Sequence, residues 1–335
     1  MRAKAFAPSW STEGAGAAIM RKPILIGVGL LAGLAALYIV VGGFFVSREL
    51  GTILHVGAPT AQGSGWPAPL GPADIGYAGD PGAAYGYAFT DVNLESALGD
   101  LPAWLIPPSE TAQASRWAIF VHGIGGRREN GYRMLPVLRE AGLSTLMMSY
   151  RNDEGAPADP SGSYAFGLTE WQDLDSAVQY ALANGAEDLV LVAESMGGGI
   201  VGQFLRYSDN AGAVAAIVLD APALDFRGIV AANVGHMGLP LSPVLADAGL
   251  LLSGFSMPFR LVDADVRPEL EAFAGPLFLS HGAADSIVPV AGSDGLLSGR
   301  AAVTDYLRTR ADHIRSWDEN PARYDAALAA FLGSL

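Results

Sequence analysis

Short apolar runs alternate along the chain with segments in which apolar residues recur at helical spacing. The strand-like runs are residues 117–121, 144–149, 189–193, 216–219, 276–279 and 302–307. The helical segments include residues 130–141, 169–184, 198–207 and 321–332. Strands that alternate with helices predict a mostly parallel sheet with helices on both faces.

A predicted hairpin precedes these runs. Residues 89–96 and 102–107 are strand-like, and the sequence Ala-Leu-Gly-Asp at 97–100 suits the turn between them. Together with these two strands, the pattern predicts an α/β fold with an eight-stranded, mostly parallel sheet. Thr169 and Gln172 have the spacing of a capping box at the start of a helix, and Asn184-Gly185 suits the end of that helix.

The longest apolar stretch lies near the N-terminus. Residues 23–46 carry no charge, and as a helix they would extend about 36 Å, enough to cross a hydrocarbon core of roughly 30 Å. A cleaved signal peptide is the alternative, but the stretch is long for one and its exit at residues 44–48 lacks a small-x-small cleavage site. An uncleaved transmembrane anchor is therefore expected. Gly29 and Gly33 within it form a G-x-x-x-G that can pack two helices, although glycine is frequent in membrane helices generally.

Charge predicts the orientation of this anchor. Four basic residues precede it, and Arg48 is the only one soon after it; the four are Arg2, Lys4, Arg21 and Lys22. The positive-inside rule then places residues 1–22 in the cytoplasm and everything after the anchor outside it. We expect a cell-membrane protein with residues 47–88 as a linker or N-terminal arm, since this part is dense in Gly, Pro and Ala, and residues 89–335 as the folded domain.

Composition excludes several classes of function. The net charge is −14, which argues against a nucleic acid partner because binding phosphates needs clustered Lys and Arg. There are no cysteines, so disulfides, thiolate catalysis and cysteine metal sites are excluded. Half of the 335 residues are apolar, so the chain can bury the core of an enzyme-sized domain.

Four motifs follow predicted strands: VHGIGG at 121–126, AESMGG at 193–198, HGAAD at 281–285 and DH at 312–313. The carboxyl ends of parallel strands meet at one edge of a sheet, so these residues are expected to lie together. Ser195 stands where an apolar strand turns abruptly into a glycine-rich helix start, which holds a nucleophilic hydroxyl above the sheet. Gly197 meets the requirement for a small residue two positions on. Ala193 is a mild departure, and Glu194 is an unusual charged neighbour.

Asp285 closely follows a strand in the segment HGAADSIVP, where a loop aspartate can orient a histidine ring. It is the preferred acid because this local pattern resembles the acid loop of the α/β-hydrolase superfamily. Asp220 and Asp225, after the preceding strand, are rival candidates, since some proteins with this arrangement use that earlier position. The candidate general base is His313, which lies after the last strand and before the C-terminal helix.

The positions of two other histidines in the sequence predict a supporting role for them. His122 and His281 precede glycines in strand-end loops and are expected to brace loop backbones. The sequence lacks the H-E-x-x-H pattern, which argues against a metal site, and no organic cofactor is implied.

From Asp91 to Leu335 the order of strands and motifs resembles the α/β-hydrolase superfamily. The segments VHGIGG, YRNDEG, ESMGGG and SHGAADSIVP resemble its membrane-anchored bacterial serine hydrolases, including esterase/lipase and prolyl-oligopeptidase-like members. The resemblance implies an oxyanion hole built from the backbone N–H groups of Ile124 and Met196. His122, Gly123, Gly125 and Gly197 would support it.

These patterns together predict a serine hydrolase that cleaves a carboxylic ester. Residues 223–273, rich in apolar residues, are expected to form a helical cap, which would suit a lipid or other lipophilic ester, although the same side chains can serve only to pack the cap. An amidase or peptidase, and an acyltransferase, remain alternatives with the same triad. A hydrolase-like body used only as a binding module is the alternative outside enzymes.

Overall fold

The structure is a computed structural model that describes residues 13–58, 68–109 and 115–335, with the side chains of residues 13–24 left out. Arg2 and Lys4 of the predicted cytoplasmic segment, the side chains of Arg21 and Lys22, and residues 59–67 of the predicted linker lie outside what is described.

Eight strands form one sheet in the order β1-β2-β4-β3-β5-β6-β7-β8. They are β1 (Thr90–Ser96), β2 (Gly99–Ile106), β3 (Arg116–Val121), β4 (Ser144–Met148), β5 (Asp188–Glu194), β6 (Val214–Asp220), β7 (Leu277–Gly282) and β8 (Thr304–Thr309). The pairs β1–β2 and β2–β4 are antiparallel, and all later pairs are parallel. The predicted fold class is confirmed.

The helices are α1 (Glu13–Ile53), α2 (Pro81–Tyr85), α3 (Leu135–Glu140), α4 (Trp171–Ala183), α5 (Met196–Tyr207), α6 (Phe226–His236), α7 (Ser242–Ser253), α8 (Arg267–Ala272), α9 (Ala291–Gly299), α10 (Ser316–Glu319) and α11 (Pro321–Gly333). In the described part of the chain, short 3₁₀ helices cover Arg128–Arg133, Ala211–Ala213 and Leu261–Ala264. The predicted helix 130–141 is therefore split into a 3₁₀ turn and α3.

Side chains of β5 alternate between two apolar cores, as the period of a strand requires. Leu189, Leu191 and Ala193 face the core beneath α4 and α5, whereas Val190 and Val192 face the core beneath α3 and α11. Every residue of β5 after Asp188 is buried. The central strands are thus covered on both faces. A functional site can therefore form only at the edge of the sheet where these strands end.

Two local predictions were wrong. The hairpin turn is only Ala97-Leu98, because Gly99 pairs with Ser96 and the Ser96 hydroxyl bonds to both Leu98 N–H and the Gly99 carbonyl. The capping box at Thr169 does not form, because α4 begins two residues later and the Thr169 hydroxyl has no hydrogen-bond partner in the described part of the chain.

The end of α4 agrees with the prediction. The helix stops at Ala183 and is followed by Asn184 and by Gly185 in the left-handed region, with a φ of 100°. A conformation of this kind is typical of a glycine that closes a helix.

Helix α1 is long and apolar enough to cross a membrane. Within Leu25–Ile53, the most apolar 18-residue window has a mean hydropathy of 2.4, and this window is not buried by the rest of the protein. The helix does not stop where the predicted anchor ends at residue 46 but continues to Ile53. Its last turns carry the buried side chains of Val46 and Leu50, followed by Leu54 just beyond the helix. The beginning of the expected linker is therefore helical and packed.

Helix α1 crosses α7 at very close range. A Cβ added to Gly249 of α7 would lie 2.4 Å from a methyl carbon of Val46, and one added to Gly43 would lie 2.6 Å from the Ala248 Cβ. Added Cβ atoms at Gly29 and Gly33 meet nothing among the described atoms within 4 Å. The glycines that allow these two helices to approach are thus Gly43 near the end of α1 and Gly249 of α7, and not those of the G-x-x-x-G.

The glycine contact leads to a first prediction. We expect Gly249→Ala to lower the stability of the full chain by about 1–3 kcal/mol, because the added methyl group overpacks the interface between α1 and α7. Gly29→Ala, the matched control on the open face of α1, should leave stability unchanged. Thermal unfolding of both variants in detergent, followed by circular dichroism, measures the difference. Equal transition temperatures for the two variants would contradict the close packing of α1 against α7.

Candidate active site

The backbone at Ser195 makes the sharp turn that the sequence predicts. Strand β5 ends at Glu194 and α5 begins at Met196, and Ser195 between them has φ 50° and ψ −121°. Residues with side chains rarely adopt a positive φ, so the turn is strained unless its surroundings hold it. They do so here, because the Ser195 N–H donates to the Asp220 carbonyl at 3.0 Å and the Ser195 carbonyl accepts from the Ala223 N–H at 2.9 Å.

Gly197 lets the helix start lie directly against the end of β3. A Cβ at this position would lie 2.3 Å from the Val121 carbonyl oxygen and 2.9 Å from that of His122. Any side chain would force the two elements apart. Ala193, the departure on the other side of the serine, is fully buried within β5 between its partners Val121 and Leu219. The single methyl group there is accommodated.

Ser195, His313 and Asp285 are brought together at this edge of the sheet. The Ser195 Oγ lies 2.8 Å from His313 Nε2, and His313 Nδ1 lies 2.7 Å from an Asp285 carboxylate oxygen. A carboxylate only accepts, so Nδ1 carries the proton and Nε2 is free to accept from the serine hydroxyl. The serine and histidine are nearly inaccessible to solvent.

The carboxylate of Asp285 is held by four donors. One oxygen accepts from His313 and from His281 Nε2 at 3.0 Å, and the other accepts from the backbone N–H groups of Ile287 and Val288. Burial disfavours the charge, but the hydrogen bonds from His281 and His313 outweigh it and lower the pKa of Asp285 well below its usual range. The stabilisation from this ionised group is present above the ordinary pKa and is lost only as the pH falls through the lowered one.

His281 was predicted only to brace a loop, but it lies next to the candidate triad. It contacts the Asp285 side chain directly, and its other ring nitrogen lies 2.7 Å from the Ser293 hydroxyl. The signal in the sequence is its position four residues before Asp285 at the end of β7. The rival carboxylates lie elsewhere: Asp220 is bonded to Arg133 and Ser280, and Asp225 caps α6 by accepting from Gly228.

The loop after β3 has the glycine-dependent turn expected of an oxyanion loop. The Gly126 N–H donates to the Gly123 carbonyl at 3.0 Å, and Gly125 has φ 62°, which favours glycine. Ile124 lies within this turn, and Met196 is the first residue of α5, where backbone N–H groups have no partner inside the helix. Because Gly197 packs on Val121 and His122, the turn and the helix start are neighbours.

His122 braces this loop, as predicted. Its Nε2 lies 2.8 Å from the Asp153 carboxylate, and its Nδ1 lies 2.9 Å from the Gly123 carbonyl oxygen. Burial opposes protonation, but the Asp153 carboxylate overcomes it and raises the pKa of His122. Both partners are acceptors, so the protonated ring satisfies both. Tyr150 stacks on the ring and donates to the same Gly123 carbonyl at 3.0 Å.

A buried ionic network behind the nucleophile was not predicted. One Arg133 nitrogen lies 2.5 Å from the Glu194 carboxylate and 3.1 Å from that of Asp220. The other Glu194 oxygen accepts from the Asn130 side chain at 2.8 Å and weakly from the Gly123 N–H at 3.4 Å. The Glu194 carboxylate beside Ser195 is therefore paired with the Arg133 guanidinium, which it shares with Asp220. Within the described residues no cluster of histidines and carboxylates is placed to hold a metal ion.

The sheet order, the strained turn after β5 and the loops after β7 and β8 define an α/β-hydrolase fold. Solved structures of this fold are similar to the chain. The esterase Pf2001 of Pyrococcus furiosus has a TM-score of 0.58 and 18% identity, with 77% of this chain and 96% of that chain covered. Est1E of Butyrivibrio proteoclasticus, solved with ferulic acid, has a TM-score of 0.56 and 17% identity, covering 72% and 97%.

A peptidase shares the fold as well. The acylaminoacyl peptidase of Pyrococcus horikoshii has a TM-score of 0.54 and 17% identity, covering 73% of this chain and 40% of that chain. Among curated sequences, the uncharacterized protein YfhR of Escherichia coli K12 is 26% identical over 231 residues, which is 68% of this chain and 72% of YfhR. No protein-family model matches the chain.

The buried network leads to a second prediction. We expect Arg133→Met to destabilise the protein by about 3–5 kcal/mol, because it leaves two buried carboxylates without their cation. Arg116→Met, which removes the partly exposed pair with Asp188, is the matched control and should cost about 1 kcal/mol or less. Urea unfolding of the full chain in detergent measures both. Similar losses in the two variants would contradict a structural role for the network.

Proposed function

We propose that the protein is a serine hydrolase that cleaves a carboxylic ester through Ser195, His313 and Asp285. The observation that carries the proposal is the continuous hydrogen-bonded series from the Ser195 hydroxyl to the Asp285 carboxylate, with distances of 2.8 and 2.7 Å. A serine hydroxyl is a weak nucleophile until a base accepts its proton. This geometry places that base within reach.

In the first half of the reaction, His313 Nε2 takes the Ser195 proton as Oγ attacks the ester carbonyl carbon. Asp285 stays ionised and stabilises the imidazolium that forms. The resulting tetrahedral oxyanion would be bound by the N–H groups of Ile124 and Met196. Collapse breaks the bond to the alcohol oxygen, which leaves with the proton from His313, and an acyl-Ser195 ester remains.

In the second half, water enters and gives a proton to His313 while its oxygen attacks the acyl carbon. The tetrahedral intermediate collapses, the bond to Ser195 Oγ breaks, and the proton returns to the serine. The products are a carboxylic acid and an alcohol, and the enzyme is regenerated. An ester is favoured over an amide as substrate by the esterases among the proteins that share the fold, and the apolar lining near Ile124 suits a lipophilic substrate.

A covalent probe tests the triad without a guess at the substrate. We expect a fluorophosphonate to label the full chain in detergent, and labelling to disappear in Ser195→Ala. His313→Ala and Asp285→Asn should slow labelling by roughly 10⁴-fold, since each removes the means of activating the serine. Gel fluorescence against time gives the rates. A folded wild-type protein that is not labelled would favour the binding-module alternative.

We also propose that α1 anchors the protein in the cell membrane with its N-terminus in the cytoplasm. The proposal is supported by the length and hydropathy of Leu25–Ile53 and by the basic residues that precede it. The hydrolase domain would then lie outside the cytoplasm. Substrate and water would reach the site on that side.

Reporter fusions test this orientation. An alkaline phosphatase fused after Leu335 should be active, because it folds only outside the cytoplasm, whereas a green fluorescent protein at the same position should be dark. Replacing Arg21 and Lys22 by Glu, with two Lys added after Ser47, should weaken or invert the pattern. A fluorescent C-terminal fusion to the unaltered chain would refute the orientation.

A further inference from the structure

An apolar groove lies between α1 and α6, directly beside the candidate active site. Its volume is about 320 Å³, within the range of roughly 300–1,000 Å³ that ligand pockets occupy. Most of its lining is aliphatic or aromatic, with Glu49 and Asn233 as the polar exceptions. The residues that define this cap groove are Phe45, Val46, Glu49, Leu50, Ile53, Leu54, Ile124, Phe166, Phe226, Ile229, Val230, Asn233, Val234, Met237 and Ile287.

One end of the cap groove reaches the loops beside the candidate catalytic residues. Ile124 belongs to the oxyanion loop, and Ile287 donates its N–H to the Asp285 carboxylate. The Asn233 side chain of α6 donates to the Ile287 carbonyl at 3.2 Å. This contact ties the cap to the loop that carries the acid. A ligand in the cap groove would therefore have one end beside the reacting atoms.

The other end follows α1 toward the membrane. The cap groove extends along α1 from Phe45 to Leu54, about 14 Å at 1.5 Å per residue. Phe45 also lines a second apolar cleft that continues along α1 to Leu34, between that helix and Leu239. The second cleft lies within the predicted anchor 23–46. An apolar path thus runs from the oxyanion loop to the part of α1 expected in the bilayer.

The cap beside this path exposes large apolar side chains to solvent. Phe255, just after α7, is 86% exposed. Others on the same part of the chain are Met237, Leu241, Val244 and Leu251. Apolar surface of this kind next to a membrane helix is suited to the boundary between lipid headgroups and acyl chains. The mouth of the path would then open into lipid rather than water.

We propose that the cap groove binds the acyl chain of a membrane-resident ester, which enters from the bilayer along α1. The proposal rests on the proposed function and assigns its substrate class. The acyl chain would lie between α1 and α6, and the ester carbonyl would reach Ser195 and Ile124. A groove of this length suits a chain of many methylene groups rather than an acetyl group. The anchor is then one wall of the substrate site.

Narrowing the cap groove from the α1 side tests the proposal. Ile53 is half-exposed and lines the groove, whereas its exposed neighbour Thr52 does not. In phosphatidylcholine nanodiscs, Ile53→Trp should lower kcat/KM for p-nitrophenyl palmitate by about tenfold, the effect of expelling roughly two methylene groups from an apolar site. The ratio of this kcat/KM to that for p-nitrophenyl acetate should fall by a similar factor, because an acetyl group does not extend along the groove. Thr52→Trp, the matched control, should leave both activities unchanged.

The outcomes separate this proposal from the one it rests on. Equal losses on both esters in a folded Ile53→Trp, or no loss on the palmitate ester, would overturn the groove assignment while leaving the hydrolase intact. A wild-type protein that hydrolyses only the acetate ester would overturn it as well. Absence of all hydrolysis would instead contradict the proposed function.

A binding measurement decides the groove assignment without turnover. Ser195→Ala is mixed in nanodiscs with a palmitoyl ester that carries a photoactivatable diazirine near the end of its chain. Crosslinks mapped by mass spectrometry should fall on the groove-lining residues of α1 and α6 and should be lost when Ile53→Trp is added. Crosslinks that lie elsewhere, or that persist unchanged in the double variant, would refute acyl binding in the cap groove.

Discussion

The candidate site depends on one buried cation held between two carboxylates. Glu194 and Asp220 end adjacent strands and face each other in register, and Arg133 from the 3₁₀ helix after β3 bonds both. Without the Arg133 cation, the two carboxylates would lie close together in a region that excludes water, which would strongly destabilise the folded protein. The same carboxylate of Glu194 reaches the oxyanion loop through Gly123. The ion network therefore fixes the nucleophile turn and the loop opposite it relative to each other.

Much of the fold and the candidate triad follows from local sequence, because the residues involved stand at fixed points of a repeating pattern. Each central strand is an uninterrupted apolar run, and each run ends where a Gly-rich or polar motif begins. The side chains of Ser195, Asp285 and His313 lie together because the strands that precede them end at the same edge of the sheet. The turn at Ser195 also follows from local needs, since only a small residue at position 197 allows the backbone of Val121 to approach.

The unpredicted parts depend on side-chain contacts that the pattern of strands and helices does not show. Arg133 is 61 residues from Glu194 and 87 from Asp220, and nothing in the segment around Arg133 distinguishes it from a surface arginine. His281 was predicted only to support a loop. Its contact with Asp285 depends on the bend of the chain after β7, which the sequence pattern does not show. The capping box failed because the Glu170 carboxylate accepts from Ala165 and Gly167 N–H groups instead, which stabilises the preceding loop and delays the helix.

The packing of α1 gives this helix a structural role beyond the membrane anchoring that we propose for it. Val46, Leu50 and Leu54 are buried with the main apolar core, and Tyr38 donates to the Pro240 carbonyl at 2.8 Å. Removing α1 to obtain a soluble domain would uncover the apolar faces of α6 and α7 and open one side of the groove beside Ile124. A shortened chain could therefore keep Ser195, Asp285 and His313 together and still lose the surface to which we assign acyl binding. The proposed membrane position and the proposed specificity thus both depend on α1.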